Sequence, residues 1–488
     1  MEKPNVVSIN HFFSEDTELP FVRIKEAVIH DFKSVHYGKI EFDCSKQFVP
    51  YGTKSDILGI YGQNGSGKTA FIEALSILNQ LMSGYRVSRL YADCIPENTV
   101  FSKLQFTFDL QYRNGEQRDA VYSFKLAKVA LTPEEIQEEY KDAPAEVAVP
   151  SQAWRVRVFD EVLKLSWTDS TGTRKNKQRI FDTSVERTAF GPAEKRKEII
   201  GNDRKAEKDL QVEKELADRL SKSFIFSKKT LDRILSCNTD TLYFRVILEL
   251  RHFARGFFFV IDTKSSGLIR LNVLLPIYTA HGNIPFDIRE PRVINSSIID
   301  EVDVDINNIS NVMSQLVPGL SIYMKRLEKA VDQHGEAGEK VELMAKRNGV
   351  EFPLRYESDG IRKIISVLGL LIAAFNQPST TVAIDEFDAG IFEYLLGEIL
   401  QIMESAGKGQ FIFTSHNLRP LEVLDKKFLY FTTSNPKNRY VHLKGIGATN
   451  NLRDTYFREI LLGEQDEELY SRTKRFKIVA ALKKAWRL

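Results

Sequence analysis

Cysteine is scarce in this chain: 488 residues hold three, Cys44, Cys94 and Cys237, far apart and with no Cys-x-x-Cys pair. That scarcity argues against a disulfide framework or a cysteine-based zinc site and fits a reducing, cytoplasmic setting. Long apolar runs are also missing. The longest, "IISVLGLLIAAF" over 364–375, falls short of the roughly 20 residues that a bilayer span requires. The opening "MEKPNVVSINHFFSED" carries no apolar stretch of the signal-peptide type. A cytoplasmic protein with no membrane partner is therefore expected. Charge of one sign is barely in excess, with 68 basic against 66 acidic residues and a net of +2. Any surface for nucleic acid must then be local. Neither an internal repeat nor a low-complexity tract is visible. What is present is a 43% hydrophobic chain, long enough for about two to four domain-sized units.

The most informative stretch is "GIYGQNGSGKTAFIEAL", 59–75. "ILGIYG" before it reads as a buried strand, and Phe71, Leu75, Leu78 and Met82 after it recur at helical spacing. Between them Gly62, Gly67, Lys68 and Thr69 satisfy G-x-x-x-x-G-K-[ST], with Asn64 and Gly65 inside the loop. Glycines let backbone N–H groups wrap phosphate, and the helix N-terminus adds partial positive charge. Lys68 would reach the β- and γ-phosphates of ATP, and Thr69 would bind Mg²⁺.

Complementary residues lie far down the chain. "STTVAIDEFDAG" is a β-branched run that ends in Asp385 and Glu386. A strand delivering two carboxylates suits a P-loop ATPase: Asp385 for the Mg²⁺ shell, Glu386 to orient or deprotonate the attacking water. "GQFIFTSHNLRPLE" is another apolar strand, ending at His416, where a histidine can contact the γ-phosphate or that water. "LRYESDGIRKIISVLGLLIAAF" puts the polar turn Ser358-Asp359-Gly360 at the start of a strongly apolar helix, whose N-terminus is an anion site.

Several of these stretches carry a family resemblance. "FVRIKEAVIHDFKSVHYGKIEFD" resembles the opening of the SMC and RecF-like ATPases, a hairpin with an aromatic-basic-Ser turn, here Phe32, Lys33 and Ser34. The resemblance implies that Lys33 or Ser34 touches nucleotide phosphate; the alternative is a plain hairpin. The Ser358 turn resembles the signature motif of ABC-type ATPases, with Ser358 and Gly360 at its serine and second-glycine positions. "DAGIFEYLL" stands where that superfamily has its D-loop. There, one subunit's signature closes over the other's nucleotide, which implies a homodimer or an assembly of dimers. Lys68 and Ser358 are 358 − 68 = 290 residues apart, unlike the compact transporter ATPases and like the split SMC heads. "NGVEFPLRYESDGIRK" and "IDEFDAGIFEYLL" are similar to the OLD-type group, although Ile361, Phe392 and Glu393 replace its usual threonine and His-Pro. That group implies bacterial anti-phage defence. The stretch after His416 is too short for the TOPRIM nuclease of some OLD proteins. The chain thus resembles the stand-alone ATPase subunits of the PARIS, Septu or AbiL systems, PARIS first. This implies a separate effector protein, a nuclease, and a phage-encoded trigger. The alternative is an SMC/RecF-like ATPase that binds DNA in repair or clamp loading.

The expected fold is α/β: a split ABC-type P-loop head, a mixed sheet flanked by helices, with a mainly helical insertion. Residues 1–180 form the first half of the head, 181–320 the insertion, 321–450 the second half and 451–488 a helical tail. Within the first half "RNGEQ" marks a hairpin, and Gln105 or Gln111 is the Q-loop candidate. Arg174, Lys175, Lys177 and Arg179 form a basic turn between two strands. "IIDEVDVDINN" reads as an exposed acidic loop and "SIYMKRLEKAVDQHG" as a helix returning to the head. The tail "SRTKRFKIVAALKKAWRL" is basic and without acidic residues, a packed terminal helix or a docking segment for nucleic acid or the effector.

Overall fold

The computed structural model describes residues 19–42, 54–139, 141, 150–168, 171–237, 241–262, 274–279, 282–331, 335–443, 451–462, 466–470 and 474–485. Cys44, Arg472 and Arg487 lie outside them.

Two six-stranded sheets organise the chain. The first is antiparallel, in the order β2-β1-β4-β5-β6-β7, built from Phe21–Phe32 (β1), Val35–Glu41 (β2), Ser102–Gln111 (β4), Gln117–Ala130 (β5), Trp154–Thr168 (β6) and Arg174–Asp182 (β7). Its strands alternate in burial, and the buried face carries Phe106, Phe108, Tyr122 and Phe124. The second runs β18-β17-β3-β16-β15-β8, from Tyr440–Val441 (β18), Leu429–Thr432 (β17), Asp56–Tyr61 (β3), Gln410–Thr414 (β16), Thr381–Ile384 (β15) and Phe258–Ile261 (β8). All its pairings are parallel except β17 with β18. Strands β3, β15 and β16 are buried at every residue, as parallel strands covered on both faces must be. The fold is α/β with a mixed sheet and flanking helices, and the head is split: β3 precedes its neighbours β16 and β17 by some 350 residues of chain.

Three expectations need correction. After strands Leu274–Thr279 (β9), Gly282–Asp287 (β10) and Arg292–Asn295 (β11), residues Leu320–Val331 form a strand (β12), not a helix. It pairs along its length with Ala337–Arg347 (β13), which also pairs with Val350–Pro353 (β14), and Leu320, Ile322 and Met324 are buried at a spacing of two. The helix-favouring residues of "KRLEKA" lie in its exposed half, where a ready partner strand overrides local propensity. The acidic stretch is the first part of a helix, Ile299–Leu316, which buries Val302, Ile306, Ile309 and Met313. Asp300 and Glu301 sit in its first turn, where the helix dipole favours them. Arg174, Lys175, Lys177 and Arg179 lie on β7 itself; the turn is at Gly172, at φ +80.

The segment 181–320 is helical over most of its first half. Its helices Ala193–Ile200, Arg204–Arg219, Lys228–Leu235 and Leu242–Gly256 share one hydrophobic core with the antiparallel sheet. Strand β8 then joins the parallel sheet beside β15. Among the described residues, no helix is long and apolar enough to cross a membrane.

Candidate functional site

The parallel register sets the C-terminal ends of three strands side by side. Thr414 of β16 pairs with Ile60 of β3, and Ile384 of β15 with Phe413 of β16. Loops leaving such ends frame the usual ligand crevice of an α/β sheet. Here they enclose a cleft of about 510 Å³.

The glycine-rich loop forms one wall. Gly62, Gly65 and Gly67 stand at φ +149, +78 and +102, conformations that turn successive N–H groups toward one side. Helix Lys68–Met82 starts directly from it, and Asn64, Gly65, Gly67, Lys68 and Thr69 line the cleft. Gly62 lies at the strand end, where its carbonyl accepts from Lys68 Nζ at 2.8 Å; Gln63 O accepts from the same nitrogen at 3.2 Å. Burial pulls the Lys68 ammonium below its ordinary pKa, while Asp385, Glu386 and Asp388 oppose the shift.

The opposite wall is acidic. Asp385, Glu386 and His416 all line the cleft. Asp385 is 2% exposed, and its Oδ1 accepts from Thr414 Oγ1 at 2.5 Å. Its Oδ2 is buried and meets no hydrogen-bond donor among the described residues. An unmet buried carboxylate oxygen is costly, and one in the wall of a cleft that Thr69 also lines fits a hard cation with oxygen ligands. The residues present thus fit Mg²⁺ held by Thr69 and Asp385. Glu386 donates its N–H to Thr414 Oγ1 at 2.8 Å.

Lys33 and Ser34, at the β1–β2 turn, also line the cleft. Lys33 Nζ is bound at 2.6 Å to Glu73, a fully buried carboxylate of the P-loop helix, and Ser34 Oγ donates to Gly65 O at 3.2 Å. Ser358 and Gly360 lie outside the cleft of their own chain. Ser358 caps the helix Asp359–Asn376, its Oγ accepting from Ile361 N–H at 3.4 Å. A Cβ on Gly360 would fall 2.0 Å from the carbonyl oxygen of Gly390, so only glycine permits that approach. Gln105 and Gln111 stay in β4, away from the cleft; Gln111 bonds Asp109 at 3.3 Å.

Two sets of residues escaped the sequence reading. Asp388 lines the cleft and accepts the N–H groups of His416 at 3.0 Å and Asn417 at 2.9 Å, so it shapes the loop that carries His416. Its place in the "DEFDAG" run was the available signal. The second set braces the glycine-rich loop from the far end of the chain: Tyr440 OH donates to Gly67 O at 2.8 Å, Thr432 meets Ser66 at 2.5 Å, and Arg439 donates to Ser34 O at 2.5 Å. No local pattern announces contacts across such distances in sequence.

An SMC head domain with coiled coil and joint from Pyrococcus yayanosii aligns over 90% of this chain and 99% of its own, at 12% identity and a TM-score of 0.39. The SMC head domain from Thermotoga maritima aligns over 87% and 100%, at 14% identity and a TM-score of 0.33. The recombination mediator RecF of the RecFOR pathway aligns over 82% and 94%, at 12% and 0.33. No curated protein matches the sequence. A family match begins beyond the glycine-rich loop and takes in Ser358, Asp385, Glu386 and His416, spanning residues 141–422. With more than half of its 488 residues matched, the chain belongs to the family described as "AAA domain, putative AbiEii toxin, Type IV TA system".

Proposed function

We propose that this chain is an ATP-binding and ATP-hydrolysing switch, and that two copies closing on two nucleotides control a separate effector, a nuclease, in an anti-phage defence complex of the OLD-like kind. One observation carries the ATPase part: the unmet Oδ2 of Asp385 and the glycine-rich loop at Lys68 and Thr69 share a single cleft. In this reading, Gly62, Asn64, Gly65 and Gly67 bring the backbone to the phosphates, and Lys68 neutralises them. Mg²⁺, when bound by Thr69 and Asp385, supplies further charge for the phosphoryl group. Glu386 takes the proton of the attacking water. His416 meets the γ-phosphate, and Lys33 or Ser34 meets phosphate at the rim.

The position of Ser358 and Gly360 outside their own cleft supports a role at a partner chain's nucleotide. Residues 181–320 are the proposed seat of the change that an effector feels, and 451–488 the proposed helical tail. Closure can bias that effector only by its difference in affinity for the two states. The family's toxin–antitoxin description favours a defence setting, with a phage product as trigger. The exposed basic helix Arg475–Ala485 favours a second reading, an SMC/RecF-like ATPase that binds DNA directly.

Mixing two inactive chains tests the composite site. Ser358→Arg and Lys68→Ala should each abolish turnover, and their mixture should regain it, because one interface in the mixed dimer is intact. Wild-type turnover in either variant alone would sink the sandwich. Mass measurement of the complex copurified from its own operon tests the effector: a bound nuclease is expected, and tight ATP-dependent DNA binding by the isolated chain would favour the second reading.

A further inference from the structure

The helix that begins at Ser358 is apolar along most of its length, yet its second turn buries a lysine. Lys363 is 1% exposed and precedes the core residues Ile364 and Ile365. A buried ammonium is expensive unless its donors are met. Here Nζ donates to the carbonyl of Glu386 at 2.6 Å and to that of Ala389 at 2.9 Å. Both carbonyls belong to the turn that leaves β15.

That turn is held in an unusual shape. Glu386 stands at φ +48, a left-handed conformation that costs a residue with a side chain about 1–2 kcal/mol. Such a conformation persists where its surroundings over-determine it. Ala389 N–H closes the turn onto Glu386 O at 3.0 Å, and Phe387 N–H donates to Thr414 O at 3.0 Å. Lys363 adds the clamp from the helix. One turn earlier, Gly360 lies against Gly390, the far end of the same loop. The helix therefore grips the loop at two points, by close backbone approach at Gly360 and by an ammonium at Lys363. Packing alone would be served by a leucine or methionine at 363; the carbonyl pair is what an ammonium adds.

Resting on the ATPase reading above, we infer that Lys363 is a positioning residue: its ammonium ties the Ser358 helix to the Glu386–Ala389 turn and so aims the Glu386 carboxylate at the water in the cleft. The same tie gives a route between sites. A nucleotide of a partner chain that engages Ser358 would move this helix, and through Lys363 this chain's own Glu386. The two nucleotides of a dimer would then be coupled in hydrolysis.

The test compares Lys363→Met, Lys363→Arg and Glu386→Gln in the full-length chain. Lys363→Met should bind a fluorescent ATP analogue within about threefold of wild type while kcat falls about 100-fold, as misplacement of a catalytic group by an ångström does. Lys363→Arg, which keeps donors for both carbonyls, should recover part of the loss. Adding Lys363→Met to Glu386→Gln should cost little further, because both act on one step. Normal kcat in Lys363→Met, or a parallel loss of analogue binding and kcat, would overturn the inference. Should Lys363→Met fail to fold, Lys363→Gln is read by the same division between binding and kcat. A wild-type chain that never turns over ATP sinks the ATPase reading as well. A working wild type with a slow Glu386→Gln and a normal Lys363→Met sinks this inference alone.

Discussion

Two clefts of nearly equal size lie in the molecule, one of about 510 Å³ at the glycine-rich loop and one of about 540 Å³ beside β6 and helix Arg204–Arg219. Both are rich in charged side chains, and they differ in what those charges do. In the second cleft most are already spent within the fold. Glu161 accepts from Tyr122 OH at 2.6 Å, Ser223 Oγ at 2.5 Å and Phe224 N–H at 2.6 Å. Arg157 is paired with Asp218 at 2.8 Å, and Lys214 donates to Val185 O at 2.6 Å. In the first cleft Asp385 Oδ2 and Asp388 Oδ1 are buried and unmet among the described residues. The two clefts differ little in volume and differ in their uncommitted buried polar atoms.

The largest effect is expected at Glu386. Glu386→Gln should leave nucleotide binding intact and slow turnover by about 100-fold or more, as loss of a general base does. Lys68→Ala should instead weaken nucleotide capture, seen as loss of fluorescent-analogue binding. Near-normal turnover in Glu386→Gln would remove that residue from the chemical step. A smaller loss is expected at Thr414, which touches the site only through others. Its hydroxyl donates to Asp385 Oδ1 and accepts from Glu386 N–H. Thr414→Val should cost about 10-fold in turnover and raise the Mg²⁺ needed for half-maximal rate, as loss of a bond to a metal ligand does. An unchanged Mg²⁺ dependence would detach Thr414 from the site.

The second cleft should answer in stability. Glu161→Ala strands three donors in the core, at about 1–3 kcal/mol for a buried group left unsatisfied. Denaturant titration should show that loss, while turnover per folded molecule stays at the wild-type value. A loss of turnover with stability unchanged would make the second cleft functional and end the contrast.

The sequence made the first cleft's walls legible because each wall is local. "GQNGSGKT" carries its own strand, turn and helix, and "AIDE" ends a strand on the carboxylates it delivers. Periodicity misled where two readings compete over a short charged stretch. Residues 325–331 have helix-forming side chains, and the strand they belong to is decided by pairing with β13, which no local window contains. The acidic run at Asp300 hid a helix because Val302, Val304 and Ile306 alternate with Asp303 and Asp305, while the helix buries Val302, Ile306 and Ile309. Strand β8 hid in a segment read as an insertion, since four residues, "FFVI", reveal nothing about the sheet they enter. The braces at Thr432, Arg439 and Tyr440 exist only once β17 has paired with β3.

The smallest effect concerns a carboxylate outside both clefts and tests whether burial alone, without an unmet oxygen, marks a working group. Glu249 lies on helix Leu242–Gly256 and is 4% exposed. Tyr112 OH donates to its Oε2 at 2.6 Å. Burial pushes its pKa up to about 7, against the pull of Tyr112 and Arg118. A carboxyl whose folded pKa is raised binds its proton more tightly in the folded chain. Its contribution is therefore fully present below the unfolded value and is lost as pH rises through about 7. Glu249→Gln keeps an acceptor for Tyr112 and has no proton to lose. Between pH 5 and pH 8 the variant should gain on wild type, by about 1 kcal/mol after local relaxation and at most about 3 kcal/mol. Urea titrations of both proteins at the two pH values measure this directly. A difference that stays constant across the range would mean that Glu249 is ionised in the fold throughout. ATP turnover should be the same in both proteins at either pH, and a pH-dependent gap in turnover would place Glu249 in the working machinery despite its satisfied oxygen.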